Sequence, residues 1–185
     1  MRTVDLPSDD EIPEPALTRL RSLPPLNVYR VLGIVPQAVI PWTDMTSAAY
    51  ECQLDARLRE IAICRQAHTA KAAYELHQHR FIARNNGVSE AELEAVLSEG
   101  TVESLDSRGN LVCKAADEME TSATLSDETF DALYETLGRA VATELVFILS
   151  FYCAVARLTN ATRITVEPQN PLQGSANPAT QSRRP

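Results

Sequence analysis

The sequence lacks the cysteine spacings that build metal sites and disulfide frameworks. Its four cysteines, at positions 52, 64, 113 and 153, are separated by 12, 49 and 40 residues, and none of these gaps matches a Cys-x-x-Cys or zinc-ligand pattern. Three of them stand in apolar, helix-like sequence, which is typical of small buried side chains in a reducing compartment. The sequence therefore predicts no metal, no disulfide bonds and a cytoplasmic location.

Long apolar runs and positive charge are also scarce. The most apolar stretch, residues 141–158, contains Glu144 and Arg157, so it falls short of the roughly 20 uncharged apolar residues of a membrane span. The N-terminus has no apolar core like that of a secretory signal. With 17 Lys and Arg against 25 Asp and Glu, the net charge is -8, which disfavours nucleic acid and anionic membranes as partners. We expect neither a membrane span nor a nucleic-acid interface.

Proline is missing from the whole interior of the chain. All eleven prolines lie outside residues 42–167, and a proline-free interior favours continuous helices. The length of 185 residues and the hydrophobic fraction of 44% suit one globular domain. The composition predicts a flexible N-terminal arm over residues 1–15, a folded domain over 16–167 and a disordered tail over 168–185.

The proline-free interior contains residues that are typical of helix starts and helix ends. Asp55 stands where an N-cap is expected before an apolar-periodic run. Ser89 and Glu92 have the spacing of a capping box, and Gly87 can end the preceding helix in the left-handed conformation. Because alternating β-branched residues are nearly absent, the sequence predicts an all-α fold. The expected helices begin near 56, cover 69–84, 89–98 and 110–119, begin again after 126, and cover 139–158.

Three ionisable residues are predicted to lie on apolar helix faces, where an unpaired charge is costly. Glu60 falls at helical spacing from Ile63 and Cys64. Glu75 precedes His79 by four residues, so the two lie one turn apart on one stripe of a helix. A carboxylate in that position can bind and orient a histidine that acts as an acid or a base.

Three segments in order resemble the carboxymuconolactone decarboxylase family of the AhpD-like superfamily. They are LDARLREIAI at residues 54–63, AAYELHQH at 72–79 and ARNNGVS at 83–89. The resemblance covers about residues 25–165 and implies an AhpD-like domain whose core is an antiparallel pair of long helices. It further implies a cytoplasmic homo-oligomer, a trimer or a hexamer.

The resemblance also implies an activity and a site. The expected activity is that of a cofactor-independent lyase that decarboxylates a small carboxylated lactone or a related metabolite of aromatic catabolism. Carried over by position, the catalytic residues are Glu60, Tyr74, Glu75 and His79. His79 would protonate the carbanion left by carbon dioxide, with Glu60 or Glu75 orienting its ring, and Tyr74 would donate a hydrogen bond to the developing oxyanion.

One branch of the superfamily is disfavoured. Its alkylhydroperoxidases use a Cys-x-x-Cys pair, and the two matching positions here are Ala72 and Glu75, so thiol–disulfide chemistry has no nucleophile. Leu76 replaces a tryptophan usual in the family, which suggests a pocket of different shape.

Several roles stay open on the sequence alone. A related isomerase or hydrolase with the same Glu/His pair, and a non-catalytic oligomeric binding protein, are alternatives to the decarboxylase. An arginine could bind a substrate carboxylate, although ion pairing with the protein is commoner; the candidates are Arg57, Arg59 and Arg65. Structural roles are favoured for His68, His77 and Cys64.

Overall fold

A computed structural model describes residues 2–179, and within that range the chain contains eight α-helices and no β-strand. The predicted all-α fold is therefore confirmed. Short 3-10 turns occur at Asp9–Glu11, Val31–Ile34 and Pro36–Ala38. The helices are α1 (Ala16–Arg21), α2 (Asn27–Arg30), α3 (Val39–Tyr50), α4 (Ala56–Thr69), α5 (Ala73–Asn85), α6 (Glu90–Val96), α7 (Ser107–Ser122) and α8 (Asp127–Thr162).

The predicted caps fix the starts of α4 and α6. The Asp55 side chain accepts a hydrogen bond from the Leu58 N–H at 3.0 Å, and Ser89 and Glu92 form both bonds of a capping box. One boundary differs from the prediction, because α4 runs on to Thr69 and α5 starts only at Ala73. The turn between them contains Lys71 with a φ of 53°, so His68 lies in the last turn of α4 rather than after it.

Helix α4 is the centre of the fold, and ten of its fourteen residues are buried. Helix α5 follows through a three-residue turn and returns antiparallel to α4, which brings Glu60 and His79 together. On its other sides α4 packs against α7 and α8. The contacts from Arg57 to Asp106 and from Arg65 to Asp117 show that α4 and α7 run parallel. Polar side chains on α4 are consequently buried rather than solvated.

Helix α8 is long and sharply bent. Gly138 interrupts the helical backbone with a φ of 77° and a ψ of 160°, a conformation that side chains with a Cβ rarely adopt. By length and composition alone, α8 could cross a membrane, although the core helix of a soluble protein has the same properties. Two of its ionisable groups bind the rest of the fold: Glu144 accepts from the N–H groups of Gln53 and Leu54, and Arg157 binds Glu120.

Both ends of the described chain pack against the helices, which corrects the prediction of an arm and a tail without fixed contacts. In the predicted arm, Ile12 is buried and the Val4 N–H bonds to the Thr162 carbonyl. In the predicted tail, Leu172 is fully buried. Isolated apolar side chains anchor each segment, and composition averaged over a segment does not detect them. Residues 180–185 of the predicted tail lie outside the described residues.

Candidate active site

A small cavity lies between α2, α3, α5, α8 and the segment that follows α8. Its volume is about 40 Å³, which is room for a few water molecules. Three of the four site residues predicted from the sequence line it, namely Tyr74, Glu75 and His79, and the fourth, Glu60, contacts His79 from behind. The remaining lining residues are Leu26, Val28, Tyr29, Trp42, Thr46, Gln78, Ile82, Phe151, Tyr152, Val155, Leu172 and Pro178.

His79 and Glu60 form a buried acid–base pair. The Nδ1 atom of His79 lies 2.9 Å from Oε2 of Glu60, and both side chains are almost fully buried. Because an ionised carboxylate only accepts hydrogen bonds, Nδ1 carries the proton. The other ring nitrogen, Nε2, forms no hydrogen bond with residues 2–179. The pair therefore presents Nε2 as the atom that can take or give a proton.

Aromatic rings and one arginine hold this pair in place. Tyr152 meets the His79 ring edge to face, with the ring centroids 4.8 Å apart. Arg59 donates from Nε to Oε1 of Glu60 at 3.0 Å, and its guanidinium lies 4.2 Å from the centroid of the Tyr50 ring. The arginine forms an ion pair with Glu60 in a buried setting. With both carboxylate oxygens bound, Glu60 fixes the tautomer and orientation of the imidazole.

Glu75 does not bind His79, contrary to what their spacing suggests. It is buried, and neither of its carboxyl oxygens has a hydrogen-bond partner among residues 2–179. Burial raises the pKa of this carboxyl well above its usual value, and the negative charge of Glu120 adds to the increase. Burial therefore favours the neutral carboxylic acid form of Glu75 in the wall of the cavity, and this form can donate one hydrogen bond and accept another.

The hydroxyl of Tyr74 is hydrogen-bonded to Glu167, a residue that the sequence did not indicate as part of the site. Its hydroxyl donates to Oε1 of Glu167 at 2.6 Å and accepts from the Val28 N–H at 3.2 Å. Glu167 also accepts from Nε2 of Gln78 and from the Asn27 N–H. Since the phenol proton already points at Glu167, Tyr74 is placed to anchor the chain after α8 rather than to donate to a substrate oxyanion.

Tyr74→Phe is expected to lower the free energy of unfolding by about 1–3 kcal/mol, because the half-buried Glu167 carboxylate loses a donor and the Val28 N–H loses its acceptor. Urea denaturation of the variant measures the loss. The control is Tyr134→Phe, since Tyr134 bonds only to Thr143 at an exposed position; a surface change of this kind alters stability by about 0.5 kcal/mol or less. Equal losses in the two variants would contradict the assigned anchor.

Residues 168–179, which we call the C-terminal strap, pack against the cavity. Leu172 and Pro178 line the cavity, and the Pro178 carbonyl accepts from the Tyr29 hydroxyl at 3.2 Å. Further along, Asn85 and Asn86 at the end of α5 donate to strap carbonyls at 2.8 and 2.9 Å. The strap and Leu172 therefore form one side of the cavity.

Leu172→Ala is expected to enlarge the cavity and to lower the free energy of unfolding by about 2–5 kcal/mol, the usual effect of truncating a buried leucine. It is also expected to increase acrylamide quenching of Trp42, the single tryptophan of the chain and a cavity residue. Val166→Ala, at an exposed position close to the strap, is the matched control. Unchanged quenching in Leu172→Ala would show that Leu172 does not limit access.

The three candidate arginines lie outside the cavity lining. Arg57 binds Glu92 and Asp106. Arg65 binds Asp117, the carbonyl of the last residue of α6 and the carbonyls of two residues that follow it, and Arg59 binds Glu60 as described. Each guanidinium therefore stabilises the fold, and the expectation that one of them holds a substrate carboxylate finds no support in this arrangement.

The other residues singled out in the sequence also lie away from the cavity. His68 is 3.8 Å from Glu99, and His77 packs against the Phe81 ring at a centroid distance of 5.8 Å. Leu76 is outside the lining as well, so its exchange for tryptophan does not reshape this cavity. Cys64 is fully buried, and burial raises the pKa of its thiol well above the usual value, which makes it a poor nucleophile.

The sequence alone did not indicate most of the residues that line the cavity. Gln78 had a signal, since it lies one turn from Tyr74 on α5. Tyr152 lies 73 positions after His79 in the chain, and Glu167 lies 93 positions after Tyr74. Leu172 lies further on, and no local sequence pattern marks any of these three residues as part of the site. No group of three or more His, Cys, Asp or Glu side chains within residues 2–179 is arranged to hold a metal ion.

The helical architecture and the buried Glu/His pair define an AhpD-like all-α domain. Residues 36–118 match the model of the carboxymuconolactone decarboxylase family. This segment runs from the 3-10 turn before α3 into α7, and it contains all four predicted site residues. No curated protein matches the chain in sequence. Tyr152, Glu167 and the strap lie beyond the matched segment.

Proposed function

We propose that this protein is a cofactor-independent enzyme in which His79 transfers a proton to or from a small substrate enclosed in the cavity. The observation that carries the proposal is the 2.9 Å contact between Nδ1 of His79 and Glu60, with Nε2 left unbonded at the cavity wall. A purely structural histidine would be expected to use both ring nitrogens in bonds to the protein. In His79, Nδ1 is bonded to Glu60, and Nε2 has no bond to the described residues.

The chemistry follows from the charges of the pair. As a base, Nε2 takes a proton from the substrate, and the resulting imidazolium is stabilised by the Glu60 carboxylate on its opposite side. As an acid, the same imidazolium returns the proton through Nε2. Glu75 supplies a second, neutral acid in the same wall, which suits hydrogen bonding to a developing oxyanion.

Decarboxylation is the reaction that the family match favours. Loss of carbon dioxide from a lactone acid leaves an electron pair delocalised over the ring and its carbonyl as a dienolate. The imidazolium of His79 would then protonate the ring carbon, and the proton consumed would be restored from solvent before the next turnover. Isomerisation of a lactone would use Nε2 twice, first to remove a proton from one ring carbon and then to return it to another, without loss of carbon dioxide. The same Glu/His pair could therefore serve either reaction.

Carboxymuconolactone and a lactone of the same ring without carboxyl groups are the substrates to compare, with ultraviolet absorbance as the readout. If His79 transfers the proton, the lactone that the wild type consumes will not be consumed by His79→Gln. Release of carbon dioxide identifies a lyase, and its absence with turnover identifies an isomerase. Turnover that persists in His79→Gln would exclude this mechanism for that reaction.

The non-catalytic alternative makes a different prediction. A binding protein with this cavity would retain small molecules without consuming them, and its stability in their presence would rise while their absorbance stayed constant.

Benzisoxazole serves as a test of catalysis that does not depend on the natural substrate. A base that removes its ring C–H proton breaks the N–O bond and forms a nitrile and a phenolate, which absorbs light.

A further inference from the structure

One solvent-exposed strip of α8 carries no charged side chain. Between Arg139 and Arg157 every exposed residue of this helix is uncharged, although 23% of the residues in the whole chain are charged. Only 44% of the most apolar window of α8 is buried within the chain. A helix face that is merely solvated usually presents charged and polar side chains, so an uncharged exposed face indicates a contact with something else. We call these exposed residues the α8 strip; they are Ala140, Thr143, Phe147, Ser150 and Ala154.

The spacing of the α8 strip is that of a contact between helices. Its five residues follow one another at alternating intervals of three and four positions, which keeps side chains on one seam between two packed helices. Four of the five are alanine, serine or threonine, and small side chains let a second helix approach closely. The pattern therefore favours a helical protein surface as the partner of the strip.

Helix α3 widens this face. It runs antiparallel to α8, because Trp42 near its start packs against Phe151 while Leu54 beyond its end binds Glu144. Met45 lies about one turn after Trp42, as Phe147 lies one turn before Phe151, and both Met45 and Phe147 are exposed. The face is about 25 Å long and about 20 Å wide. Accessible surface exceeds this projection of roughly 500 Å², so the face is close to the area of about 600 Å² or more that each partner of a stable complex buries.

The α8 strip contains both an exposed aromatic ring and a hollow. Phe147 is 38% exposed. Next to it lies a shallow hollow whose other lining residues are Arg139, Ala140, Thr143 and Glu144. The side chains of Ala140 and Thr143 are small, so the hollow leaves space for a ring. Such a face is complementary to itself, because a two-fold axis brings the ring of each copy to the hollow of the other.

The charges of the hollow favour protein over lipid as the partner. Arg139 and Glu144 both line it, and the N–H groups of Gln53 and Leu54 hold the Glu144 carboxylate in place. A bilayer would bury both charges in hydrocarbon at a high cost in free energy. Two copies of the chain would instead bring together hollows that contain one charge of each sign, and a ring next to Arg139 would gain a cation–π contact.

We propose that the α8 strip is the contact surface between two copies of this chain, related by a two-fold axis that places Phe147 of each copy in the hollow of the other. The proposal does not depend on the proposed function, because no residue of the strip lines the cavity. It also distinguishes between the two oligomers that the family resemblance suggests. A trimer with three-fold symmetry contains no two-fold contact, whereas a hexamer built from two such trimers does.

Light scattering coupled to size-exclusion chromatography measures the mass of the full chain in solution. We expect the mass of two chains for the wild type at micromolar concentrations. Phe147→Asp is expected to raise the Kd of the dimer by about 30-fold or more, the usual effect of losing a central aromatic side chain from an interface. A hexamer that Phe147→Asp converts into trimers would also support the two-fold contact. A monomeric or trimeric wild type would overturn the proposal.

Phe130→Asp is the matched control. Phe130 is exposed to a similar extent and belongs to the same helix, but it precedes the bend at Gly138 and lies outside the α8 strip. We expect this variant to associate like the wild type. Thermal unfolding confirms that both variants are folded, which the exposure of both rings favours. Equal effects of Phe130→Asp and Phe147→Asp on the mass would show that the strip is not the contact surface.

A pair of variants tests the contact between the ring and the hollow directly. Phe147→Lys and Thr143→Asp are each expected to be monomeric alone, because each brings an unpaired charge to the contact. An equal mixture is expected to form heterodimers, since the introduced ammonium of one variant meets the introduced carboxylate of the other, and the remaining Phe147 enters an unchanged hollow. Native mass spectrometry distinguishes the heterodimer by its mass. The absence of heterodimers in the mixture would contradict the assigned contact.

Sedimentation with phosphatidylcholine vesicles tests lipid as the alternative partner of the α8 strip. We expect the wild type to remain in the supernatant, because its strip is covered by the second copy. A monomeric wild type that binds these vesicles, and that loses this binding in Phe147→Asp, would assign the strip to a membrane surface and overturn the proposal.

Discussion

His79→Gln is expected to lower kcat for benzisoxazole ring opening by about 100-fold or more, the usual contribution of a positioned general base. Glutamine is close to histidine in size, and its amide N–H can still donate to Oε2 of Glu60, so the buried carboxylate keeps a partner. What the variant lacks is a nitrogen with a lone pair at the position of Nε2. The measurement is phenolate release at substrate saturation, together with thermal unfolding to confirm that the variant is folded.

His77→Gln is the matched control for this experiment. It is the same substitution on the same helix, but His77 packs against Phe81 and lies outside the cavity lining. We expect it to leave kcat within about twofold of the wild type. Similar losses in His77→Gln and His79→Gln would mean that the decrease reflects a disturbed α5, and the case for His79 as the proton-transfer residue would fail.

Glu60→Gln separates orientation from proton transfer. The amide cannot stabilise the imidazolium as a carboxylate does, and Arg59 loses its buried partner. Loss of such a supporting group typically costs about 10- to 100-fold in activity, less than the loss of His79 itself. The readout that distinguishes this role from a structural one is kcat compared with thermal unfolding, because a loss of ring orientation lowers kcat in a variant that remains folded.

The sequence was sufficient for the parts of the site that are close in the chain. Asp55 and Ser89 were identified as caps by residue type and spacing alone, since capping is a local interaction. Glu60 was correctly expected to face packed surface, because its helical neighbours are apolar. Which carboxylate binds His79 was left open between Glu60 and Glu75. Helical spacing favours Glu75, but the antiparallel return of α5 places Glu60 against Nδ1.

The parts that could not be predicted depend on contacts between distant segments. Leu172 stands in a stretch rich in proline and polar residues, where no periodic pattern marks it as buried. Glu167 was read as the last residue of the domain, yet it joins Asn27, Tyr74 and Gln78 across as many as 140 positions. Whether such residues meet their distant partners is decided by the shape of the assembled helices, which local sequence patterns do not contain.

Glu75→Gln is expected to remove a decline of stability with rising pH. Because burial raises the pKa of this carboxyl above its ordinary value of 4.5, the folded state binds the proton more tightly than the unfolded state does. Above pH 4.5 the unfolded chain releases the proton while the folded chain keeps it. The free energy of unfolding therefore falls as pH rises, by up to about 1.4 kcal/mol per pH unit, until the pKa of the folded state is passed.

Urea denaturation of the wild type and of Glu75→Gln between pH 4.5 and pH 8 measures this decline. A glutamine at position 75 has nearly the same shape and does not titrate, so the stability of the variant relative to the wild type is expected to increase with pH over this window. Glu128→Gln, at a side chain 83% exposed, is the control and should follow the wild type. Parallel curves for wild type and Glu75→Gln would show that Glu75 is ionised in the folded protein. That result would also remove the neutral acid from the cavity wall, and with it the hydrogen bond that Glu75 is proposed to give to a developing oxyanion.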